Sequence, residues 1–459
     1  MIPITPLDEW TARRIGVGGD AQKAAKAASS GVPLSRSDLE HWQLAQLREV
    51  VAWSRDRSPL YRDLYEHLPP DTPQRLSDLG RLPFVQQEDL RRRGLDFVCV
   101  SQSDIARVVT IRTSGSTGVA KRLWFTEDDL ELTIDHFRHG MRALVQRGQR
   151  VLVFMPGAIP GSVGDLLNRG LARDGVEVEV HGFVNDCGPA VQHILEFEAD
   201  CLVGVPGQML RLARSRAGRT VPAGRVKAVL FSGDYVAASL RTAVEDAWDC
   251  SVFEHYGSTE TGLGGAVQCQ AFSGLHIREA DLIFEVIDRR TGEVLPLGET
   301  GELVVTTLTR RGMPLIRYRT GDSGKLLQRP CVCGSVLRCL DRVQGRLQDA
   351  VEPTAGVRLT MADLDETVYG AGWVVAFSAE LVQGGAQVSG ATPPEGSSGL
   401  MLWVEVCAEP PDVELKAMIE RIEMIPAVRR SGLQVNMEVV PEGGLASPAK
   451  RKLLDSRRG

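Results

Sequence analysis

The sequence has no long hydrophobic run and no excess of positive charge, and both absences exclude classes of protein. No apolar stretch reaches the roughly 20 residues of a membrane span. The N-terminal MIPITPLDEWTARRIG lacks the segments and the cleavage site of a signal peptide. With 53 Lys and Arg against 59 Asp and Glu, the net charge is −6, which argues against a nucleic-acid partner. We therefore expect a cytoplasmic protein with neither a membrane nor a nucleic acid as its partner.

The chain has nine cysteines, an odd number that cannot all pair in disulfides within the chain. Without a signal peptide, these are expected to be reduced thiols, some of them available to bind metal. Five stand singly in mixed surroundings and are interpreted as packing residues: Cys99, Cys187, Cys201, Cys250 and Cys407. The other four lie between residues 269 and 339.

The nucleotide-binding motifs with strong signatures are missing as well. Counted from Gly115, a Walker A loop would need glycine at Ala120 and Ser or Thr at Arg122. Neither a G-x-G-x-x-G after a strand nor a G-x-S-x-G elbow is found. What is present is TSGSTGVAKR, residues 113–122, whose small residues and hydroxyls precede Lys121. This composition suits a polyphosphate about as well as a solvated hairpin loop.

Short β-branched runs alternate with helical patterns from about residue 105 to 310, which predicts parallel strands with helices packed on them. The clearest runs are 150–156, 176–183, 199–205, 226–233 and 250–257. After residue 280 the pattern becomes strand-rich, and from about 350 it is that of a small α+β unit. We predict an α/β protein. Its large N-terminal domain, residues 1–347, has parallel and mixed sheets flanked by helices and a β-rich subdomain, and a small mobile α+β domain spans residues 348–459.

Four further segments give the first specific indication of function. They are EHYGSTETG (254–262), RYRTGDSG (317–324), QGRLQD (344–349) and ASPAKRKLLD (446–455). Each is weak alone, since most such turns are only turns. In this order, after TSGSTGVAKR, they resemble the motifs of the acyl-adenylate-forming (AMP-binding) superfamily, and among its members those of the phenylacetate–CoA ligase family. SPLYRDLY (58–65) and LPFVQQEDLR (82–91) are similar to entry segments of that family, so the likeness covers about residues 50–455.

The resemblance implies ATP or AMP, Mg²⁺ and coenzyme A as cofactors, and it implies roles for the motif residues. The phosphates would be bound by Thr113, Ser114, Gly115, Ser116, Thr117, Gly118 and Lys121. The adenine would be bound by Tyr256, Ser232 and Gly233, with Glu254, His255, Gly257, Ser258 and Thr259 completing the site. Asp322, backed by Arg346, would bind the ribose, and Glu260 would hold magnesium. Lys450, Glu260 and Arg346 would be catalytic.

Two positions depart from the family pattern. The interdomain hinge usually has Asp or Lys where this chain has Gln348. The C-terminal G-K-x-x-R reads Ala449-Lys450-Arg451-Lys452 here. Lys450 matches the catalytic lysine better, and Lys452 remains its rival.

A possible metal site lies in RPCVCGSVLRC, residues 329–339. Its Cys331 and Cys333 can present two thiolates to zinc, which needs two further ligands for tetrahedral closure. Cys339 is one local candidate, and Cys269 with His276 of CQAFSGLH are the others. Spacing alone allows ordinary buried residues equally well. Some phenylacetate–CoA ligases bind zinc in these segments, so the resemblance favours structural zinc on Cys269, His276, Cys331 and Cys333.

The leading hypothesis is an ATP-dependent acid–thiol ligase. It would convert a carboxylic acid, aryl or arylacetic, to acyl-AMP with release of pyrophosphate, and then transfer the acyl group to coenzyme A. One alternative is a stand-alone adenylating enzyme whose acceptor is a carrier-protein thiol or an amine. Another is a nucleotide-binding relative without turnover. The loop 156–167 either lines the acid pocket or is a plain connector, and formation of a homodimer stays open.

Overall fold

A computed structural model describes residues 5–17, 34–111, 120–346, 349–383, 398–446 and 451–458. The helices α1 to α12 are Pro6–Val17, Arg36–Arg57, Pro59–Leu64, Gln87–Arg92, Glu127–Met141, Val163–Ala172, Cys187–Glu196, Pro206–Arg214, Ala238–Trp248, Met361–Val368, Asp412–Glu423 and Pro426–Ser431. The strands β1 to β10 are Ile105–Ile111, Lys121–Thr126, Arg150–Phe154, Glu177–Val180, Cys201–Gly204, Ala228–Phe231, Ser251–Tyr256, Ala266–Gln268, Leu275–Ile277 and Leu282–Ile287. The strands β11 to β19 are Gly301–Thr307, Tyr318–Gly324, Cys339–Leu340, Val351–Thr354, Val357–Leu359, Val374–Gln383, Ser398–Val406, Gln434–Pro441 and Leu454–Asp455.

The largest sheet has the strand order β13-β9-β8-β7-β6-β5-β3-β4. Strands β3 to β7 pair in parallel, and β7, β8, β9 and β13 pair antiparallel. The central strands β5 and β6 are buried at every residue, as expected where both faces of a parallel sheet are covered. All five predicted runs form the parallel strands. The mixed α/β fold with a large mixed sheet is confirmed.

Smaller sheets follow the later changes in sequence pattern. The strand-rich stretch after residue 280 forms the antiparallel sheet β10-β11-β12. Residues 344–459, called the C-terminal segment below, contain a four-stranded sheet in the order β18-β17-β16-β19. Its helices α10 and α11 cover the two stretches with helical periodicity, TMADLDETVYG and VELKAMIERIEMI. No described helix is long and apolar enough to cross a membrane.

The chain divides into two compact units. Unit 1 contains residues 1–147, 158–176 and 255–343, and unit 2 contains residues 148–157, 177–254 and 344–459. The predicted domain boundary after residue 347 falls on residues outside the described part of the chain. That boundary, and the mobility of the small domain, therefore stay predictions.

Within unit 2, the C-terminal segment shares one hydrophobic core with the helices α8 and α9. Leu240 and Trp248 of α9 belong to the same buried cluster as Leu364 of α10 and Phe377 of β16. Such burial contributes about 25 cal/mol for each Å² of apolar surface removed from water. The two parts of unit 2 are therefore held together by burial of apolar side chains.

Buried polar groups add specific contacts inside the same unit. The carboxylate of Glu405 is fully buried and accepts hydrogen bonds at 3.0 Å from both Nε and Nη2 of Arg211 in α8. The backbone N–H groups of Gly443 and Leu445 donate to the same carboxylate, each at 3.1 Å. A charge this deeply buried requires such full pairing, which fixes how the C-terminal segment lies on α8.

Candidate active site

The YGSTE segment forms a tight loop directly after β7. Leu263 N–H donates to Ser258 O at 2.8 Å, and Ser258 N–H donates to the hydroxyl of Thr261 at 2.9 Å. A Cβ atom on Gly257 would lie 2.5 Å from the Leu263 carbonyl oxygen. Only glycine therefore allows the loop to close this tightly at residue 257.

Glu260, at the end of this motif, is a buried carboxylate with a cation and a hydroxyl on the same oxygen. The Lys121 ammonium lies 2.7 Å from its Oε1, and the Tyr318 hydroxyl donates to that atom at 3.0 Å. The Lys121 and Glu260 side chains are only 1% and 5% exposed. Because neither charge is solvated, each depends on the other for its stability in the folded protein.

Arg310 holds the main chain on either side of that carboxylate. It donates to the carbonyl oxygens of Glu260 at 3.1 Å and Thr259 at 3.5 Å, and its guanidinium lies 4.2 Å from the centre of the Phe125 ring. Burial lowers the pKa of Arg310 to about 10, so it stays charged at neutral pH. Two cations therefore hold the motif loop: Lys121 binds the Glu260 side chain, and Arg310 binds the backbone carbonyls.

Tyr256 and Asp322 come together from β7 and β12. The Tyr256 hydroxyl donates to Asp322 Oδ2 at 2.7 Å, and its ring meets Phe284 edge to face at 6.0 Å. Burial, followed by the charge of Asp322, raises the pKa of Tyr256 well above its usual range. Tyr256 therefore keeps its proton and acts as a donor, while Asp322 is held as an acceptor at the start of the loop.

The two residues before Tyr256 lie on opposite faces of the strand. Desolvation of the partly buried His255 lowers its pKa to about 4, so its imidazole is neutral at physiological pH. Glu254 belongs to unit 2, where Arg241 Nη1 lies 3.2 Å from its carboxylate. We therefore expect both side chains to support the strand end.

Ser232 and Gly233 directly follow β6 in unit 2. Ser232 N–H donates to Gly204 O at 3.0 Å, and Gly233 has φ +92°, in the left-handed region that favours glycine. The chain turns there toward Asp234 and Tyr235, which both contact the C-terminal segment. Arg346 also lies in unit 2.

Several predicted residues lie outside the described part of the chain. They are Thr113, Ser114, Gly115, Ser116, Thr117, Gly118, Gln348 and Lys450. Lys452, the rival of Lys450, is described: its ammonium lies 3.3 Å from a carboxylate oxygen of Asp349. That ion pair gives Lys452 a structural partner.

Three cysteines and one histidine of unit 1 converge, and they are the four that the family resemblance favoured. The ligand atoms of Cys269, His276, Cys331 and Cys333 all lie within 4.8 Å of one another. Cys269 Sγ is 3.7 Å from Cys331 Sγ, and Cys333 Sγ is 3.4 Å from His276 Nε2. Tetrahedral zinc has bonds of about 2.3 Å to sulfur and about 2.0 Å to nitrogen. These separations therefore fit two edges of one coordination tetrahedron.

Cys339, the other cysteine considered for this site, occupies a different position. It pairs with His276 across the β13–β9 ladder, and its Sγ lies 3.5 Å from Nδ1 of that imidazole. It therefore faces the ring nitrogen opposite to the four-atom cluster. A neighbour on Nδ1 orients a histidine whose Nε2 binds a metal.

Two residues of this region were not predicted as site residues, Tyr318 and Arg310. Tyr318 is the first residue of the predicted ribose motif YRTGD, yet its hydroxyl points to Glu260. Arg310 lies in TTLTRRGMP, which carries no recognisable motif. Neither contact leaves a local sequence signal, because each joins residues about 50 or more positions apart.

Comparisons with known proteins bear on the family of the chain. Residues 33–309 match the model of the family described as AMP-binding enzyme. The phenylacetate-coenzyme A ligase of Thermus thermophilus is 31% identical over 327 residues, covering 69% of this chain and 72% of that enzyme. The enzyme of the same name from Pseudomonas putida is 30% identical over 342 residues, covering 72% and 75%.

A solved structure of 2-hydroxyisobutyryl-CoA ligase shares the fold, with a TM-score of 0.78 at 20% identity over 93% of this chain and 91% of that one. Family, relatives and fold together define an AMP-forming acid–CoA ligase. The chain belongs to the AMP-binding enzyme family, and the superfamily resemblance of its motifs is confirmed.

The Lys121–Glu260 pair yields a prediction that does not depend on activity. Lys121→Met should destabilise the protein by about 3–5 kcal/mol, since it leaves a buried carboxylate without its cation. The double variant Lys121→Met/Glu260→Gln should recover most of that loss, because it removes both charges. Urea unfolding of the single and double variants measures the coupling. Simply additive losses would contradict the interdependence of the two charges.

Proposed function

We propose that this adenylate-forming CoA ligase activates an aromatic carboxylic acid, of the aryl or arylacetic class, and transfers it to coenzyme A. The residue roles are inferred from the contacts of the loop after β7. Lys121 and Tyr318 bind the carboxylate of Glu260, and Tyr256 donates to the carboxylate of Asp322. Both carboxylates are thereby fixed near the end of β7. The choice of an aromatic acid is supported by the relatives' names alone.

In the first half-reaction an oxygen of the substrate carboxylate attacks the α-phosphorus of ATP. The bond to the bridging oxygen breaks, and pyrophosphate leaves with its electron pair. Tyr256 would offer its ring to adenine, Asp322 would accept from the ribose hydroxyls, and the backbone N–H groups of residues 113–118 would bind phosphate oxygens. Catalysis of this kind is mainly positioning and charge neutralisation.

Glu260 is the residue that would hold magnesium, because Mg²⁺ prefers carboxylate oxygen. Bound magnesium would supply positive charge to the phosphate oxygens. The Lys121 ammonium, 2.7 Å from Glu260 Oε1, orients that carboxylate, and it would lie beside the charge of a bound phosphate. A carboxylate oxygen is a hard donor, which fits a hard cation such as Mg²⁺.

In the second half-reaction the thiolate of coenzyme A attacks the acyl carbon, and AMP leaves with the electron pair of the carbon–oxygen bond. A carrier-protein thiol or an amine would react at the same carbon. No observation on the described residues favours these acceptors over coenzyme A.

The test of this function is ATP–pyrophosphate exchange with a panel of carboxylic acids. We expect exchange with aryl or arylacetic acids, thioester formation only when coenzyme A is added, and loss of exchange in Glu260→Ala. The conservative variant Glu131→Gln, in the exposed ion pair with Arg173, serves as the control and should retain exchange. Absence of exchange with every acid would contradict the proposal, and exchange without thioester would point to another acceptor.

The assignment of the catalytic lysine can be tested separately. Lys450→Ala should slow acyl-AMP formation by roughly 10²–10³, the effect of removing one preorganised charge donor. It should barely change transfer from pre-made acyl-AMP to coenzyme A. Lys452→Ala is the matched control, because its ion pair with Asp349 is partly exposed and should matter little. Equal, small effects of both variants on both half-reactions would contradict the assignment.

We also propose that Cys269, His276, Cys331 and Cys333 bind one structural zinc ion. Zinc bound there would connect the strand β9 with the loop before β13, without a role in the reaction. Metal analysis should find about one zinc per chain that survives dialysis, and Cys333→Ser should lower both zinc content and the unfolding temperature. Cys407→Ser, remote in sequence from the cluster, is the control. Freshly prepared protein without zinc would rule the site out.

A further inference from the structure

The helix α9, which follows the Ser232–Gly233 turn, begins without a cap from its own sequence. Its N-cap residue is Ala237, whose side chain has no polar atom. The first N–H groups of a helix have no partner inside the helix and need an acceptor. In most helices a Ser, Thr, Asp or Asn at the N-cap supplies it.

Here the acceptor comes from a residue 128 positions away, in the C-terminal segment. The carboxylate of Glu366 accepts from Ala238 N–H at 2.9 and 3.0 Å, and Ser239 N–H lies 3.5 Å from the same group. A carboxylate is the favourable partner for the positive end of the helix dipole. Glu366 therefore caps α9 from another part of the chain.

The same carboxylate also holds the loop before the helix. The Tyr235 hydroxyl donates to Glu366 Oε1 at 2.9 Å. One side chain of α10 thus binds both ends of the short segment from Tyr235 to Ser239. That segment directly follows Ser232 and Gly233, so its position limits where their backbone can lie.

A second contact from the C-terminal segment reaches the same loop. Arg451 forms two hydrogen bonds of 2.7 Å with Asp365, the neighbour of Glu366, and its Nε lies 3.7 Å from Asp234 Oδ2. The Arg451 side chain is 11% exposed and also donates to the Tyr369 hydroxyl at 2.8 Å. Glu366 therefore contacts Tyr235 and the residues after it, and Arg451, paired with Asp365, contacts Asp234 before it.

We propose that Glu366 is a positioning residue for the nucleotide: it holds the Ser232–Gly233 turn in its binding conformation from the C-terminal segment. This rests on the proposed role of that turn in binding adenine. When Glu366 is absent, the turn and the start of α9 populate other conformations. The apparent affinity for ATP then falls in proportion to the fraction that remains competent.

The experiment compares Glu366→Ala with Asp363→Ala, a matched variant on the same helix. Asp363 accepts from the N–H of Thr360 at 2.8 Å and so caps α10 itself, and its loss should cost similar stability without touching the turn. Titration calorimetry with Mg–ATP should show binding about fivefold weaker in Glu366→Ala. This is the fold-change that corresponds to the typical free-energy loss when a helix N-cap is removed. Asp363→Ala should bind like the unmodified protein, and Glu366→Gln should recover part of the loss.

Hydrogen exchange supplies a readout independent of activity. Amides of Ala238 and Ser239 should exchange faster in Glu366→Ala than in Asp363→Ala. Equal ATP affinity in the two variants, despite faster exchange in Glu366→Ala, would overturn the positioning role. A different result would contradict only the proposed function: an unmodified protein that binds ATP but catalyses no ATP–pyrophosphate exchange with any acid. The comparison of ATP affinity between the two variants would still test the role of Glu366.

Discussion

The Lys121–Glu260 ion pair is the contact on which the unit 1 site depends. It joins the first residue of β2 to the loop after β7, and both side chains are almost completely buried. An unpaired carboxylate at this depth would cost several kcal/mol or become protonated. Because Tyr318 donates to the same oxygen, the pair also sets the beginning of β12, the strand that carries Asp322. Three motifs that are distant in sequence thereby share one electrostatic constraint.

Unit 2 achieves rigidity differently, through apolar burial combined with a few fully paired charges. Arg211 with Glu405 and Arg451 with Asp365 each place a guanidinium against a buried carboxylate in bidentate geometry. Bidentate pairs restrict orientation as well as distance. The hydrophobic core supplies most of the stabilisation, whereas these pairs select one way of placing the C-terminal segment on α8 and α9.

Much of this architecture could be predicted from the sequence because its signals are local. Short β-branched runs predicted the parallel strands, and the family resemblance of the two cysteine-containing segments favoured a metal site that spacing alone left open. The partners of Glu260, the cap supplied by Glu366 and the place of Cys339 on the opposite ring nitrogen could not be predicted. Each is a single contact between distant residues, decided by the tertiary fold, and no periodicity or spacing records it.

The proposed zinc site has a consequence for the unfolded chain. Cys269 and Cys331 are 62 residues apart, so an ion bound to both closes a long loop. In the chain-entropy description, a cross-link over such a loop disfavours the unfolded ensemble by roughly 4 kcal/mol. A metal crosslink does this with thiols that remain reduced. Its strength would then vary with the free zinc concentration of the surroundings, which would make the metal supply a determinant of how long the folded enzyme persists.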